Sequence, residues 1–252
     1  ISSFAFLVGI GGAPLMAIRM GEDNQEGAQK ILANCFVMLL ALSAALTGLA
    51  IAFREPMLMF FGASEQTFPY ANSYLTYYVM GTVFAILTAG LNQFITCQGF
   101  ANEAMLTTII GAVMNIILDP IFIFALDMGV TGAAVATVLS QACSCLFVLW
   151  FLFSDRVHVR ISFRGYSGKI MLRVLTFGFC PFIIIAGDSV LIIALNTVLQ
   201  NYGGAQGDML IACATIVQSY MQIVTLPLGG ITSGTQPILS FNYGAKNTDR
   251  IR

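Results

Sequence analysis

Asn115 and Asp119 stand one helical turn apart inside an apolar run, so both side chains project from one face of a helix. A carboxylate and an amide oxygen at that spacing suit a hard cation such as Na⁺. A desolvated carboxylate with a raised pKa can instead carry a proton at neutral pH. A second reading makes Asp119 the cap of a helical segment restarted by Pro120, with Asn115 tying helices together. The two are compatible, because a helix broken at proline frees carbonyls that also bind ions.

The other acids, such as Glu22, Glu26, Glu65, Glu103, Asp127 and Asp208, fall in loops or near the ends of apolar runs. Asp188 is the exception. It lies seven residues after Pro181 and beside Gly187, either as a second protonatable or cation-facing group or as a residue of an aqueous cavity. Gln218 and Gln222, one turn apart, are candidates to line a substrate cavity. Pro227, Gly229, Gly230 and Gly234 follow them and loosen that helix, and Pro120, Pro181 and Pro227 are hinge candidates. Close helix packing is the expected role of Gly230 and Gly234. No nucleophile with its base, paired carboxylates or metal-ligand spacing is visible, so an enzyme is not expected. Six cysteines scattered mostly in apolar runs read as small buried hydrophobes, and His158 reads as a solvated loop residue.

The elements that hold these residues follow from composition. Of 252 residues, 58% are hydrophobic and only 9% charged, and the mean hydropathy is +0.85. Soluble domains carry about 25% charged residues, so the fold class expected is all-α and polytopic in a membrane. Runs near the 20 residues needed to cross a bilayer predict seven spans: Ile1–Met20, Lys30–Phe53, Asn72–Cys97, Ala104–Leu126, Gly132–Phe153, Ile170–Leu199 and Asp208–Tyr243. Of the eleven basic residues, ten fall on one side of that topology and only Arg54 on the other. The positive-inside rule then makes loops 21–29, 98–103 and 154–169 and the C-terminal end cytoplasmic, in a plasma (inner) membrane.

The chain also repeats itself. Gly11, Pro14, Gly21 and Asn24 recur as Gly234, Pro237, Gly244 and Asn247, always at an offset of 223 (234 − 11, 237 − 14, 244 − 21, 247 − 24). Internal repeats are how many transporters build two halves around a central site. The expected organisation is an N-terminal lobe at 1–153 lacking its first helix, a linker at 154–169, and the first two helices of a second lobe at 170–252. The repeat implies helices before Ile1 and after Arg252, so a fragment is expected. The basic linker suits either an ordinary positive-inside loop or contact with anionic headgroups.

Three segments carry a resemblance: NIILDPIFIFALDMGVTGAAVATVLSQ (Asn115 to Gln141), NYGG (Asn201 to Gly204) and GTQPILSFNYGAKN (Gly234 to Asn247). Together they resemble the multidrug and toxic compound extrusion family, MATE, with wording closest to its DinF-like branch. The resemblance implies helices two to eight of a twelve-helix, two-lobe antiporter. It further implies a cation site in which Asn115 and Asp119 match a fifth-helix pair and Thr137 a sixth-helix Thr, so that Na⁺ at Asn115, Asp119 and Thr137 is the one metal expected. A first-helix Asp of that site would lie upstream of Ile1. Asp188 matches a seventh-helix acid of a different branch. The implied activity is export of amphipathic or cationic small molecules in exchange for H⁺ or Na⁺, with no cofactor. Membrane lipids are the other expected partner, nucleic acid is not one, and a monomer is expected. The competing function is a lipid or polysaccharide-precursor flippase, which should carry basic residues inside its cavity; here they stay in loops.

Overall fold

A computed structural model describes residues 2–60, 68–163, 165–202 and 207–251. Ile1, Glu65, Arg164, Gly203, Gly204 and Arg252, all used in the sequence reading, lie outside them, as does the side chain of Asp208. Every regular element among the described residues is helical: α1 (Ser2–Gly21), α2 (Gln25–Ala52), α3 (Arg54–Phe60), α4 (Phe68–Met80), α5 (Thr82–Cys97), α6 (Ala101–Pro120), a π-helical turn (Ile121–Ala125), α7 (Gly129–Phe153), α8 (Gly168–Tyr202), α9 (Gly207–Gly244) and a 3₁₀ turn (Thr248–Arg250). Among the described residues, six helices are long and apolar enough to cross a membrane, and a bent pair makes up to seven.

Two of the predicted spans are less regular than hydropathy implies. The run Asn72–Cys97 is two helices, α4 and α5, bent by 52° at Gly81, whose freer backbone tolerates the break. A Cβ on Gly81 would meet Val138 Cγ2 at 2.5 Å, so α7 occupies the space that the bend opens. The run Ala104–Leu126 passes through Pro120 without stopping. Pro120 has helical torsions (φ −61°, ψ −34°) and Asp119 makes no cap bond there, which corrects the expectation of a restarted, capped helix. The chain instead widens, with Leu126 N donating to Ile121 O at 2.9 Å. Proline removes one N–H, and the wider turn recovers bonds for the carbonyls around it.

Helix α1 is the centre of the packing, in contact with α2, α5, α8 and α9. It approaches three of these neighbours through glycines. A Cβ on Gly9 would meet Gly90 O at 2.9 Å, and one on Gly11 would meet Gly178 N at 2.8 Å. Gly21 and Gly244 form the third crossing. A Cβ on Gly21 would overlap Phe241 O, and one on Gly244 would overlap Ile18 O. Because 18 + 223 = 241 and 21 + 223 = 244, the two contacts are one contact seen from each copy of the repeat. Small residues that let backbones touch are what associate helices where apolar burial gives no drive. The buried side chains Val8, Met16, Leu32, Leu39, Leu91, Phe94, Phe151 and Leu152 fill the space between α1, α2, α5 and α7. Gly230 and Gly234, expected to pack closely, have nothing within 4 Å of an added Cβ.

The repeat extends to individual hydrogen bonds. After α1, Glu22 N, Asp23 N and Asn24 N donate to Ile18 O, Met20 O and Arg19 O at 3.0, 3.1 and 2.9 Å. After α9, Ala245 N, Lys246 N and Asn247 N donate to Phe241 O, Tyr243 O and Asn242 O at 2.9, 3.1 and 3.0 Å. Asp23 and Lys246 both turn left-handed, with φ of 58° and 54°. Asn24 and Asn247 follow with φ, ψ of −97°, 74° and −91°, 75°.

The segment after α7 differs from the solvated linker the sequence suggests. Val157, Val159 and Ile161 are buried while Arg156, His158 and Arg160 face out, a strand-like alternation laid against the bundle. Gln98 Oε1 accepts from Val159 N at 2.8 Å, and His158 stacks on Phe100 with ring centres 5.5 Å apart. Buried Asn34 fixes the far end, donating to Gly165 O at 3.2 Å and accepting from Ser167 N at 2.9 Å. Residues 98–100, 154–163 and 165–167 and the N-terminal half of α2 therefore lie at one end of the bundle.

Candidate functional site

A cavity of about 520 Å³ opens between α5, α6 and α7, with Phe6 of α1 at its edge. Asn115 lines it from α6 and Thr137 from α7. Asn115 Nδ2 donates to Asp119 Oδ1 at 3.2 Å, so the pair meets as i, i+4 spacing predicts. Asp119 is half-buried one turn beyond the cavity wall, directly before Pro120 and the π-turn. A π-turn beside a polar residue is a recurrent mark of functional sites.

The wall is polar in a particular way. Thr137 and Ser140 donate their hydroxyls to Ala133 O and Ala136 O at 2.9 and 2.8 Å, and Ser144 donates to Thr107 O at 2.9 Å. With the protons committed to backbone, the hydroxyl oxygens that remain are acceptors. Asn92 Nδ2 likewise donates to Ala104 O at 3.3 Å. Its Oδ1, Thr88 Oγ1 and Gln141 Oε1 are buried without a partner, and all three residues line this cavity. The two amide oxygens are acceptors left unpaired, which is costly, so the site favours a ligand that brings donors or positive charge, and the Thr88 hydroxyl can serve in either sense.

Thr88, Asn92 and Gln141 are absent from the sequence reading. The signal for them is the same one that marks Asn115 and Asp119: Thr88 precedes Asn92 by four, and Thr137 precedes Gln141 by four, each within an apolar helix. Thr137, implied by resemblance alone, shares the cavity with Asn115. The donor set near Asn115 is one carboxylate with amide and hydroxyl oxygens, which fits Na⁺ or a proton and not a transition metal. Among the described residues, no three His, Cys, Asp or Glu side chains converge.

The remaining candidates stand apart from this cavity. Asp188 is exposed on α8; Gln218 is half-buried and Gln222 exposed on α9. None of the three lines the 520 Å³ space. Pro181 and Pro227 sit inside the continuous helices α8 and α9. Pro14 and Pro237, which the repeat relates, face a small space between α1, α5 and α9 together with Gln93 and Gln236.

A family model described as MatE matches residues 1–121. The multidrug export protein MepA of Staphylococcus haemolyticus is 26% identical over 252 residues, covering 98% of this chain and 54% of that relative. A crystal structure of MATE in the bent conformation superposes with a TM-score of 0.89 at 27% identity, covering 99% of this chain and 56% of that one. The outward-facing conformation of a multidrug resistance MATE family transporter of the MOP superfamily gives 0.89 at 28% identity, covering 99% and 55%. The chain thus spans about half the length of the curated relatives it matches, and it superposes nearly throughout on the solved MATE structures. Helix order agrees with these matches, and the chain is a homologue of MATE transporters.

Proposed function

We propose that this chain forms the ion-coupling half of a secondary active multidrug exporter, which moves amphipathic or cationic compounds outward in exchange for H⁺ or Na⁺. The Asn115–Asp119 bond at the edge of an acceptor-rich cavity carries the reading. An ionised Asp119 accepts from Asn115 Nδ2. Once protonated it gains an O–H donor that Asn115 can receive by presenting Oδ1, which turns a side chain that lines the cavity. Ion binding at Asp119 and the polarity of the cavity wall are thereby linked. A Na⁺ would draw on the same carboxylate with the oxygens of Asn115 and Thr137. One charge crossing 100 mV supplies about 2.3 kcal/mol, enough for tens-fold accumulation.

In this reading residues 1–153 and 170–252 belong to two lobes, joined by 154–169, and the basic loops face the cytoplasm. Asp188 serves as an additional cation-facing group, and Gln218 and Gln222 face the substrate path between the lobes. Compounds are gripped by area and shape, so specificity is broad. The protein works as a monomer among membrane lipids.

The test is ethidium efflux from energised cells lacking their own pumps, comparing the protein as encoded in its host with Asp119→Asn, with and without added Na⁺. The expected result is normal insertion with efflux lost in the variant. Equal efflux would make Asp119 structural. Absence of efflux from both proteins, with lipid translocation instead, would favour a flippase.

A further inference from the structure

A second cavity, of about 250 Å³, lies where the C-terminal end of α1, the N-terminal end of α2 and the N-terminal end of α8 meet. Arg19, Lys30 and Arg173 converge on it, one from each helix, with Glu22 the single acid among the lining residues. We propose that this cavity binds the phosphodiester headgroup of an anionic phospholipid.

The charges are set up to receive an anion. Arg19 Nη1 meets Glu22 Oε2 at 2.6 Å, and Lys30 Nζ meets Glu26 Oε1 at 2.6 Å. Both pairs are substantially exposed and hold their partners weakly. Arg173 makes no salt bridge among the described residues, and its planar guanidinium matches a phosphate with two parallel donors. The first turn of α2 also ends here. Asn24 and Gly27 line the cavity, so the N-terminal end of a 28-residue helix borders it, with the Gly27 N–H already taken by Asn24 Oδ1 at 2.8 Å and Glu26 in the same turn.

The geometry is fixed from outside the cavity. Asn34 bonds Gly165 O and Ser167 N, immediately before α8 begins, so α8 starts at a set place beside α2. A Cβ on Gly165, whose φ is +81°, would meet Lys30 Cγ at 2.7 Å; that glycine lets the lysine stem lie flat under the loop. Arg173 and Lys30 thus reach the cavity from backbones that are tied together.

The apolar part of the lining selects a lipid over a free ion. Leu15, Ile18, Ile31 and Ile170 line the same space. One turn on from Arg173, Phe177 is 52% exposed and gives α8 an apolar face next to the guanidinium. A phosphate held at the cavity mouth would lead its acyl chains onto that face. Basic pockets between helices at one membrane surface recognise lipid headgroups in this way.

The experiment is native mass spectrometry of the full chain in detergent, titrated with phosphatidylglycerol, with phosphatidylcholine of the same acyl chains, or with inorganic phosphate. Preferential retention of phosphatidylglycerol is expected. Arg173→Gln, Arg19→Gln and Lys30→Gln should each weaken it about fivefold, the worth of one basic residue near an anionic surface. Arg173→Lys should restore most of the binding, and Arg156→Gln, on the exposed loop outside the cavity, should change nothing. Melting of each lipid-free variant separates lost binding from lost folding. Equal retention of phosphatidylcholine, or undiminished binding across all three Gln variants, overturns the proposal. Displacement of the lipid by inorganic phosphate as readily as by more phosphatidylglycerol would assign the site to a free anion and overturn it as well.

Discussion

The corner after α1 and the corner after α9 share a backbone and differ in almost everything attached to it. Three hydrogen bonds, a left-handed residue and an asparagine recur at an offset of 223. Yet Arg19 and Glu22, an ion pair at the first corner, correspond to Asn242 and Ala245 at the second, where Asn242 Nδ2 donates to Ile238 O at 2.9 Å. What the duplication preserves is the set of positions where backbones must touch or turn. Charge is free to diverge, because an exposed pair contributes little to the fold. The headgroup cavity, which depends on charge, therefore belongs to the first corner.

Breaking the shared part should cost most. Gly21→Val and Gly244→Val each drive a side chain into a carbonyl of the facing helix, and each should destabilise by about 3 kcal/mol, the upper end for overpacking. Unfolding in detergent should show nearly equal losses for the two. A loss in one variant alone would mean that the crossing is not reciprocal. The asparagines should separate the corners. Asn24 caps a long helix through Gly27 N, and Asn24→Ala should cost about 1 kcal/mol. Asn247 precedes only a 3₁₀ turn and makes no side-chain cap bond, so Asn247→Ala should be close to neutral in the same assay. The smallest effect should come from the left-handed residues. Lys246→Gly relieves a backbone conformation that lysine tolerates poorly and should stabilise by up to about 1 kcal/mol. Asp23→Gly should gain less, since aspartate visits that region more readily; a larger gain there would reverse the ranking.

Much of this architecture is legible in the sequence, for identifiable reasons. Apolar length marks the spans, the offset of 223 marks the repeat, and the spacing of Asn115 and Asp119 foretells their bond. Features that depend on what lies opposite are not legible. Gly81 sits in an apolar run that reads as straight until Val138 is seen against it. Pro120 signals a change in the helix but not that the change is a wider turn. In SDRVHVRIS the alternation of Val157, Val159 and Ile161 is present, but the basic residues between them make the segment look solvated. Thr88, Asn92 and Gln141 pass unnoticed because a single uncharged polar side chain inside an apolar run carries no charge to mark it. Their unpaired oxygens appear only when three helices are assembled.

The reciprocal crossing of Gly21 and Gly244 also bears on how the chain can vary. Contacts of residue 18 with 244 and of 241 with 21 are what a two-fold dimer of half-length chains would make. In such a dimer every substitution is read twice, once on each side of the axis, so a mutation that helps one side and harms the other cannot be kept. Within one polypeptide the two sides are inherited separately. Arg19 and Asn242 show that freedom used, and the two glycines show where it ends, because neither copy can change while the other helix lies against it.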